Sequence, residues 1–348
     1  MCDVSETAQR SAADLVGGPS SGSGLASLLK SGRAIFLRQR EASVFVIAVA
    51  LVIYFGVTSP AFFTNLNLAN ISYGTAPFAI VAIGEVMLLV CGEIDLSVGF
   101  VWTLSPFLMY FFIQYDHVPV ILAVILALAC GAVVGLINGL ITVRLKVASF
   151  ITTLGTSFVV YGIMLTTSHA QALSLPAQSL SIGKWLGGAT WAEISWAIAL
   201  AVIFHIVLTR TRWGLHTIAA GGNLLGASEA GINVARIKIG NFMLTSTLGA
   251  LAGILEAFRT STIDPSAGQF AVMFSAVSAA VIGGTALAGG SGTVAGAFLG
   301  MLVLAILADG FNLKGISSNP YQIILGIAII VAMVANVYLT RLRRAGES

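Results

Sequence analysis

Ten apolar segments follow one another along most of this chain, and each is close to the length that a membrane helix needs. A helix requires about 20 predominantly apolar residues to cross a bilayer. The first and third segments are short, so some are expected to be broken or re-entrant rather than full crossings. The pattern predicts an all-α polytopic membrane protein with about ten transmembrane helices. The segments are residues 43–58, 71–91, 98–114, 118–141, 149–167, 190–209, 239–258, 270–288, 293–312 and 320–340.

The composition leaves no room for a large soluble domain. Hydrophobic residues make up 57% of the 348 residues and charged residues only 9%, whereas soluble domains carry about 25% charged residues. We therefore expect one transmembrane domain over residues 41–340, surrounded by membrane lipid, between a polar tail over residues 1–40 and a short tail over residues 341–348. The cysteines and histidines show no metal-binding spacing, so no metal site is predicted.

The basic residues indicate the orientation of the segments. With the N-terminus in the cytoplasm, the cytoplasmic side collects all of the 17 Lys and Arg residues except Lys184, Arg259 and Lys314. Cytoplasmic loops of membrane proteins carry such an excess of positive charge. Both termini are therefore predicted to be cytoplasmic. The net charge of +3 is explained by this asymmetry, so no nucleic-acid partner is predicted.

Two carboxylates interrupt the apolar pattern between the second and third segments, in the run GEIDLSVG. A carboxylate at the bilayer centre costs about 2.5–3.5 kcal/mol, so the run is either a protein-lined or water-lined site or a turn at the membrane surface. The topology brings it toward the cytoplasmic side, where we expect it to form a hydrogen-bonded turn. The residues that shape this turn are predicted to be Gly92, Glu93, Asp95, Ser97 and Gly99.

The hydrophilic segment over residues 210–238 is predicted to contain a short helix. Asn223 can cap its N-terminus and Gly231 can end it in a left-handed conformation. Glu229 lies in the last turn, where the helix dipole disfavours an anion, so it is a candidate to pair with a cation on a partner. A loop helix that only packs on the bundle is the alternative. The candidate docking residues are Asn223, Leu224, Leu225, Glu229, Gly231 and Ile232.

Three motifs occur in a fixed order along the chain. They are GEIDLSVG over residues 92–99, RTRWG continuing to AGINV over residues 210–234, and VIGGT followed by GGSGTV over residues 281–294. They resemble, in turn, the GGIDLSVG signature, the cytoplasmic coupling loop and the glycine-rich segment of the ribose-type permeases of ATP-binding-cassette (ABC) importers. The resemblance extends over about residues 45–340.

The resemblance implies a permease that forms a homodimer or heterodimer in the bacterial inner (plasma) membrane and carries a monosaccharide, a pentose, hexose or similar polyol. A periplasmic sugar-binding protein would deliver the sugar, and a cytoplasmic ABC ATPase would hydrolyse ATP. The chain itself is expected to bind no cofactor and not to be an enzyme, since it contains no G-x-x-x-x-G-K-[ST] phosphate loop. The 210–238 segment would couple the ATPase to the spans, and the 92–99 turn would lie near the inner gate.

The chain departs from the family pattern at two of these motifs. Glu93 replaces the more common second glycine of the signature, which adds a carboxylate. Leu224, Leu225 and Ser228 stand where many relatives have Glu, Glu and Arg. Glu229 is therefore the substitute candidate for pairing across the contact with the ATPase.

The arrangement of a span, a glycine-containing turn and a second span occurs around residues 92–99 and again around residues 283–300. It suggests either a structural repeat with broken helices or simply close helix packing through glycines.

A path for a sugar requires amides, carboxylates and aromatic faces. The candidates are Glu85, Trp102, Asn138 and Phe274, and Glu256 is expected to pair with Arg259 near the outer surface. The alternative function is a self-contained, ion-coupled secondary transporter that uses Glu85, Glu93 or Asp95 as its cation site.

Overall fold

The computed structural model describes residues 40–176 and 179–316 and, beyond them, isolated positions between 323 and 334. Three predicted segments lie outside the described residues, apart from Arg40 and those isolated positions. They are the tails over residues 1–40 and 341–348 and the segment over residues 320–340.

Helices form most of the described chain, and seven of them are long and apolar enough to cross a membrane. These seven are α1, α2, α4, α5, α7, α10 and α12, while α3 and α11 are shorter apolar helices. The predicted all-α polytopic class is therefore confirmed. The bounds are α1 Arg40–Thr58, α2 Asn65–Val90, α3 Val98–Gln114, α4 Val120–Arg144, α5 Ser149–Ser168, α6 Leu180–Gly183, α7 Ala192–Arg210, α8 Arg212–Gly222, α9 Leu224–Glu229, α10 Val234–Thr260, α11 Gln269–Ile282 and α12 Val294–Leu313.

The connections between helices fall at two ends of the bundle. At one end, the loops that follow α5 and α10 pair as a two-residue antiparallel ladder, β1 Leu173–Ser174 with β2 Thr262–Ile263. A single π-helical turn, Lys184–Gly188, follows α6 in the same loop. The helices α8 and α9 lie at the opposite end, between α7 and α10.

Helix α10 lies at the centre of the packing, where it contacts α2, α3 and α4. Three glycines spaced four residues apart on α4, Gly131, Gly135 and Gly139, face it. At Gly135, a Cβ atom would lie only 2.4 Å from the carbonyl oxygen of Phe242. Stripes of small residues allow membrane helices to approach this closely and to gain van der Waals contact along their backbones. These contacts fix α10 against the helices that carry the candidate site.

Two predicted boundaries differ from the structure. The segment predicted over residues 270–288 is helical only to Ile282, because Gly284 adopts a positive φ of 91° and the backbone turns there. The loop predicted over residues 210–238 contains two helices, because α8 precedes the expected α9. Helix α8 begins where the Thr211 side chain accepts a hydrogen bond from the backbone N–H of Gly214, as a helix cap does.

Candidate functional site

The turn between α2 and α3, residues 91–97, is hereafter called the signature turn. Helix α2 ends at Val90, and Gly92 follows with a positive φ of 82°. Two backbone N–H groups of the turn donate to side chains of α5: Ile94 donates to Ser149 and Leu96 donates to Thr153. The turn is therefore held inside the bundle by hydroxyl groups of a neighbouring helix.

Asp95 is fully buried and is the centre of a polar cluster. Its Oδ1 accepts hydrogen bonds from the backbone N–H of Ser97 at 2.8 Å and from the Ser97 hydroxyl at 2.6 Å. Its Oδ2 accepts a bond from the Ser246 hydroxyl of α10 at 3.0 Å. A buried carboxylate is tolerated only when such donors compensate for its lost hydration. Asp95 thus links the signature turn to α10.

Asn138 extends the same cluster to α4 and α5. Its Nδ2 donates to the Ser97 hydroxyl at 2.8 Å, and its Oδ1 accepts from the Thr156 hydroxyl at 2.7 Å. We call this group the Asp95 cluster: Asp95, Ser97, Asn138, Thr156 and Ser246. The sequence identified the first three of these residues but assigned Asn138 to a separate path. Thr156 and Ser246 were missed, although a hydroxyl within an apolar helix is a signal for an interhelical hydrogen bond.

Glu93 forms an ion pair that the sequence did not reveal. Its carboxylate accepts a hydrogen bond from the Lys238 ammonium group in the second turn of α10. The two side chains are 13% and 17% exposed, respectively. The additional carboxylate of this chain therefore ties the signature turn to α10 a second time, next to the loop that carries α9.

The short helix α9 has the boundaries that its capping residues predict. The Asn223 side chain accepts a hydrogen bond from the N–H of Gly226 at 2.9 Å, and Gly231 has a φ of 80°. Leu224 and Leu225 are 56% and 69% exposed, and Glu229 is also exposed. An apolar, solvated face on a short capped helix is a feature of docking surfaces.

Residues 283–293, between α11 and α12, form a second turn that we call the glycine turn. Its Gly290 N–H donates to the carbonyl oxygen of Val90 at the end of α2, at 2.8 Å. A Cβ atom at Gly221, near the end of α8, would lie 1.8 Å from that same oxygen. At Gly289, it would lie 2.9 Å from the carbonyl oxygen of Gly221. We call this contact of Val90, Gly221, Gly289 and Gly290 the three-way junction.

The three-way junction brings together segments that are far apart in the sequence. The end of α2, where the signature turn begins, the end of α8 in the loop that also carries α9, and the glycine turn each contribute backbone atoms to it. These are the three segments that carry the motifs.

Comparison with known proteins identifies the family. Residues 67–333 match the family described as branched-chain amino acid transport system / permease component. The chain belongs to this family of permeases. It is 38% identical to the xylose/arabinose import permease protein of Sulfolobus acidocaldarius over 88% of this chain and 87% of that protein. It is 33% identical to the ribose import permease protein of Escherichia coli over 88% of this chain and 97% of that protein. No solved structure gives a significant match.

The matches confirm the ribose-type permease resemblance, and the chain is a multi-pass membrane permease. A third relative, the fructose import permease protein of Rhizobium meliloti, is 31% identical over 88% of each chain. The permease is thus similar along most of its length to proteins named for the import of different sugars.

The four residues proposed for a path do not form a single site in this permease, although Glu85 and Asn138 both lie beside Asp95. Asn138 belongs to the Asp95 cluster, whereas Trp102 lines a recess at the β1–β2 end and is 8% exposed. Phe274 is 58% exposed on α11. Glu85 is fully buried in α2, and neither of its carboxylate oxygens forms a well-aligned hydrogen bond with a described residue.

Proposed function

We propose that this chain is the transmembrane permease subunit of an ABC importer that carries a monosaccharide across the inner (plasma) membrane. The relatives named for xylose/arabinose, ribose and fructose import support a pentose, a hexose or a similar polyol as the substrate. The observation that carries the proposal is the three-way junction, because it connects the loop helix α8 directly to the end of α2, where the signature turn begins, and to the glycine turn.

The partners follow from this assignment. A cytoplasmic ABC ATPase binds α9 and uses ATP, while the permease itself binds no cofactor and catalyses no reaction. A periplasmic binding protein delivers the sugar to the opposite end, and a second permease subunit completes the dimer. The apolar residues exposed on α1 and α5, among them Ile53, Phe150 and Phe158, face lipid or that second subunit.

The proposed orientation has both termini in the cytoplasm and ten crossings. Arg144, Lys238 and helix α9 then share the cytoplasmic end, while the β1–β2 pair and Lys314, which donates to the carbonyl oxygen of Thr58, share the outer end. The seven long apolar helices and the two short ones would account for nine crossings, and the apolar sequence of residues 320–340 predicts the tenth.

The transmission of motion uses contacts at the cytoplasmic end. When the ATPase pair closes, it moves α9 and the beginning of α10, which is tied to the signature turn by the Lys238–Glu93 pair. The end of α8 presses on the glycine turn through the three-way junction. Both turns therefore respond to one displacement, and the signature turn acts as part of the inner gate.

An ion-coupled secondary transporter is less well supported. Of its three candidate carboxylates, Glu93 is paired with Lys238, and Asp95 already accepts bonds from Ser97 and Ser246. Glu85 alone is left as a cation site.

Reconstitution distinguishes the two functions. Proteoliposomes that contain the permease, its ATPase and its binding protein are expected to accumulate D-xylose, D-ribose or D-fructose only with ATP. A panel of sugars offered to the binding protein would then define the substrate. Uptake by the permease alone, driven by a proton or sodium gradient and indifferent to ATP, would contradict the proposal.

A substitution in the coupling loop tests the role of α9. Gly231→Val forces a β-branched residue into a positive φ and so disrupts the end of the helix. No atom lies within 4 Å of a Cβ at this position, so the effect is confined to the local backbone. We expect ATPase binding and uptake to be lost while the permease still folds. The control is Gly155→Ala on α5, where a Cβ also meets no atom; unchanged assembly and transport in Gly231→Val would refute the docking role.

A further inference from the structure

A recess of about 230 Å³ lies at the β1–β2 end of the bundle, between α3 and α10. Its inner wall is formed by Trp102 and Gly253, and its rim by the exposed residues Thr260, Thr262 and Asp264. Pockets for drug-sized ligands measure about 300–1,000 Å³. This recess is smaller, and its size suits a single sugar ring.

The wall of the recess combines apolar indole surface with a polar acceptor. Trp102 is 8% exposed, and its Nε1 is buried without a hydrogen-bond partner among the described residues. Glu256 lines the same recess. A carboxylate can accept bonds from two neighbouring hydroxyl groups, and the small exposed part of the indole adds apolar surface. This pair of groups matches the alternating polar and apolar surfaces of a monosaccharide.

The carboxylate of Glu256 is held in a fixed orientation by Arg259. Arg259 Nε donates to Glu256 Oε2 at 2.8 Å, and a second guanidinium N–H donates to Oε1. The guanidinium itself is stacked over Tyr73, with its carbon 4.7 Å from the ring centroid. Arg259 also lies 3.4 Å from the buried carboxylate of Glu193. Pre-organised groups of this kind lose little conformational entropy when a ligand binds.

The shape of the recess depends on close contacts around Trp102. A Cβ at Gly253 would lie 1.7 Å from the carbonyl oxygen of Trp102, so α3 and α10 touch through their backbones there. A Cβ at Gly268, which has a φ of 80°, would lie 2.6 Å from the Trp102 indole. The loop after α10 therefore closes over the indole because it carries glycine at this position.

The same two helices meet again at the cytoplasmic end. There, Asp95 of the turn preceding α3 accepts a hydrogen bond from Ser246 of α10. A shift of α10 relative to α3, initiated at α9, therefore alters the walls of the recess directly.

The geometry points to this recess as an outer binding subsite for a free monosaccharide, with Trp102 forming the apolar inner wall and Glu256 accepting from the hydroxyl groups of the sugar. This inference rests on the proposed import function. The permease would then contact the sugar after the binding protein has released it and before it crosses the membrane.

The test uses the complete transporter in proteoliposomes, with whichever of D-xylose, D-ribose and D-fructose the wild type accumulates. Two quantities are measured together: the rate of ATP hydrolysis stimulated by the binding protein and the number of sugar molecules imported per ATP. Trp102→Leu and Glu256→Gln are expected to lower the second quantity about tenfold, since the first alters the apolar wall of the recess and the second removes a charge-assisted contact. The rate of ATP hydrolysis is expected to stay at the wild-type value.

Two matched variants separate binding from folding. Trp102→Phe keeps an aromatic face and is expected to retain sugar import per ATP within about threefold of the wild type. Trp185→Phe changes another tryptophan of the outer end, which is 84% exposed and not part of the recess, and is expected to have no effect.

The outcomes are distinguishable. Wild-type import per ATP in both Trp102→Leu and Glu256→Gln would overturn the subsite alone. A parallel loss of ATP hydrolysis in both variants would also overturn it, because the residues would then be structural. Absence of ATP-driven sugar uptake by the wild type would overturn the import function and the subsite with it.

Discussion

The signature turn and the glycine turn reach the same end of the bundle, but they are held there by different interactions. In the signature turn, hydroxyl groups of α5 accept from two backbone N–H groups, and Asp95 is bonded to both Ser97 and Ser246. In the glycine turn, backbone packs on backbone: Gly283 lies against Gly296, and Gly290 donates to the carbonyl oxygen of Val90. The signature turn is thus held by polar groups, and the glycine turn is held by direct backbone contacts that only glycine allows.

The difference predicts how each turn responds to change. A buried polar network fails when one partner is removed and the others are left unsatisfied. A backbone contact fails when any atom is inserted, since packed interiors have no spare volume. In the alternating movement of a transporter, the glycine turn can transmit displacement by direct contact, whereas the signature turn keeps its helices together through hydrogen bonds.

The largest effect is expected from inserting a single methyl group into the glycine turn. In Gly283→Ala, the Cβ would lie 2.2 Å from the backbone carbon of Gly296. Such an overlap costs about 3 kcal/mol or more of the free energy of unfolding, because α11 and α12 must move apart. The measurement is unfolding in mixed micelles, with ATP-driven uptake in parallel.

Gly92→Ala in the signature turn is the matched control. Its backbone has a positive φ of 82°, whereas Gly283 has a φ of −66°, and no atom lies within 4 Å of its Cβ. Only the conformational cost of about 1 kcal/mol is therefore expected. Equal losses in Gly92→Ala and Gly283→Ala would show that the glycine turn does not depend on close contact.

An intermediate effect is expected from removing the centre of the Asp95 cluster. Asp95→Ala leaves the hydroxyl groups of Ser97 and Ser246 without their acceptor in a buried site, which costs about 2 kcal/mol. Asp95→Asn keeps one acceptor oxygen and is expected to restore about half of that loss. The same unfolding measurement applies, and Asp116→Ala, at an exposed position, is the neutral control. If Asp95→Asn proved as destabilising as Asp95→Ala, the charge rather than the hydrogen bonds would hold the turn.

Much of the fold could be predicted from the sequence because the apolar segments and the capping residues are local signals. Asn223 and Gly231 define α9 from its own residues. Helix α8 was missed because its glycines and charged residues resemble a loop, although Thr211 supplies a cap. The helical segment predicted to residue 288 ends at Ile282, where Gly283 and Gly284 already signal a break.

The assembly of the site could not be predicted in the same way. The motifs were visible, but their contact through Val90, Gly221 and Gly290 depends on the packing of segments that are 69 to 200 residues apart in the sequence. The partner of Glu93 is likewise set by the position of α10, since Lys238 belongs to a segment with several basic residues of similar appearance. Tertiary packing decides which of them is near.

The smallest effect is expected for the Glu93–Lys238 pair, which tests how much each polar interaction contributes to holding the signature turn. Both side chains are mostly buried but keep some contact with solvent, at 13% and 17% exposure, so we expect about 1 kcal/mol, the upper end of the range for exposed pairs. A double-mutant cycle with Glu93→Gln and Lys238→Met is expected to give a coupling energy of that size, which decreases as salt is added. The signature turn would then depend chiefly on Asp95, with Glu93 adding a weaker connection to α10. A coupling energy larger than the loss in Asp95→Ala, or one insensitive to salt, would reverse this order and make the additional carboxylate of this chain the principal attachment of the turn.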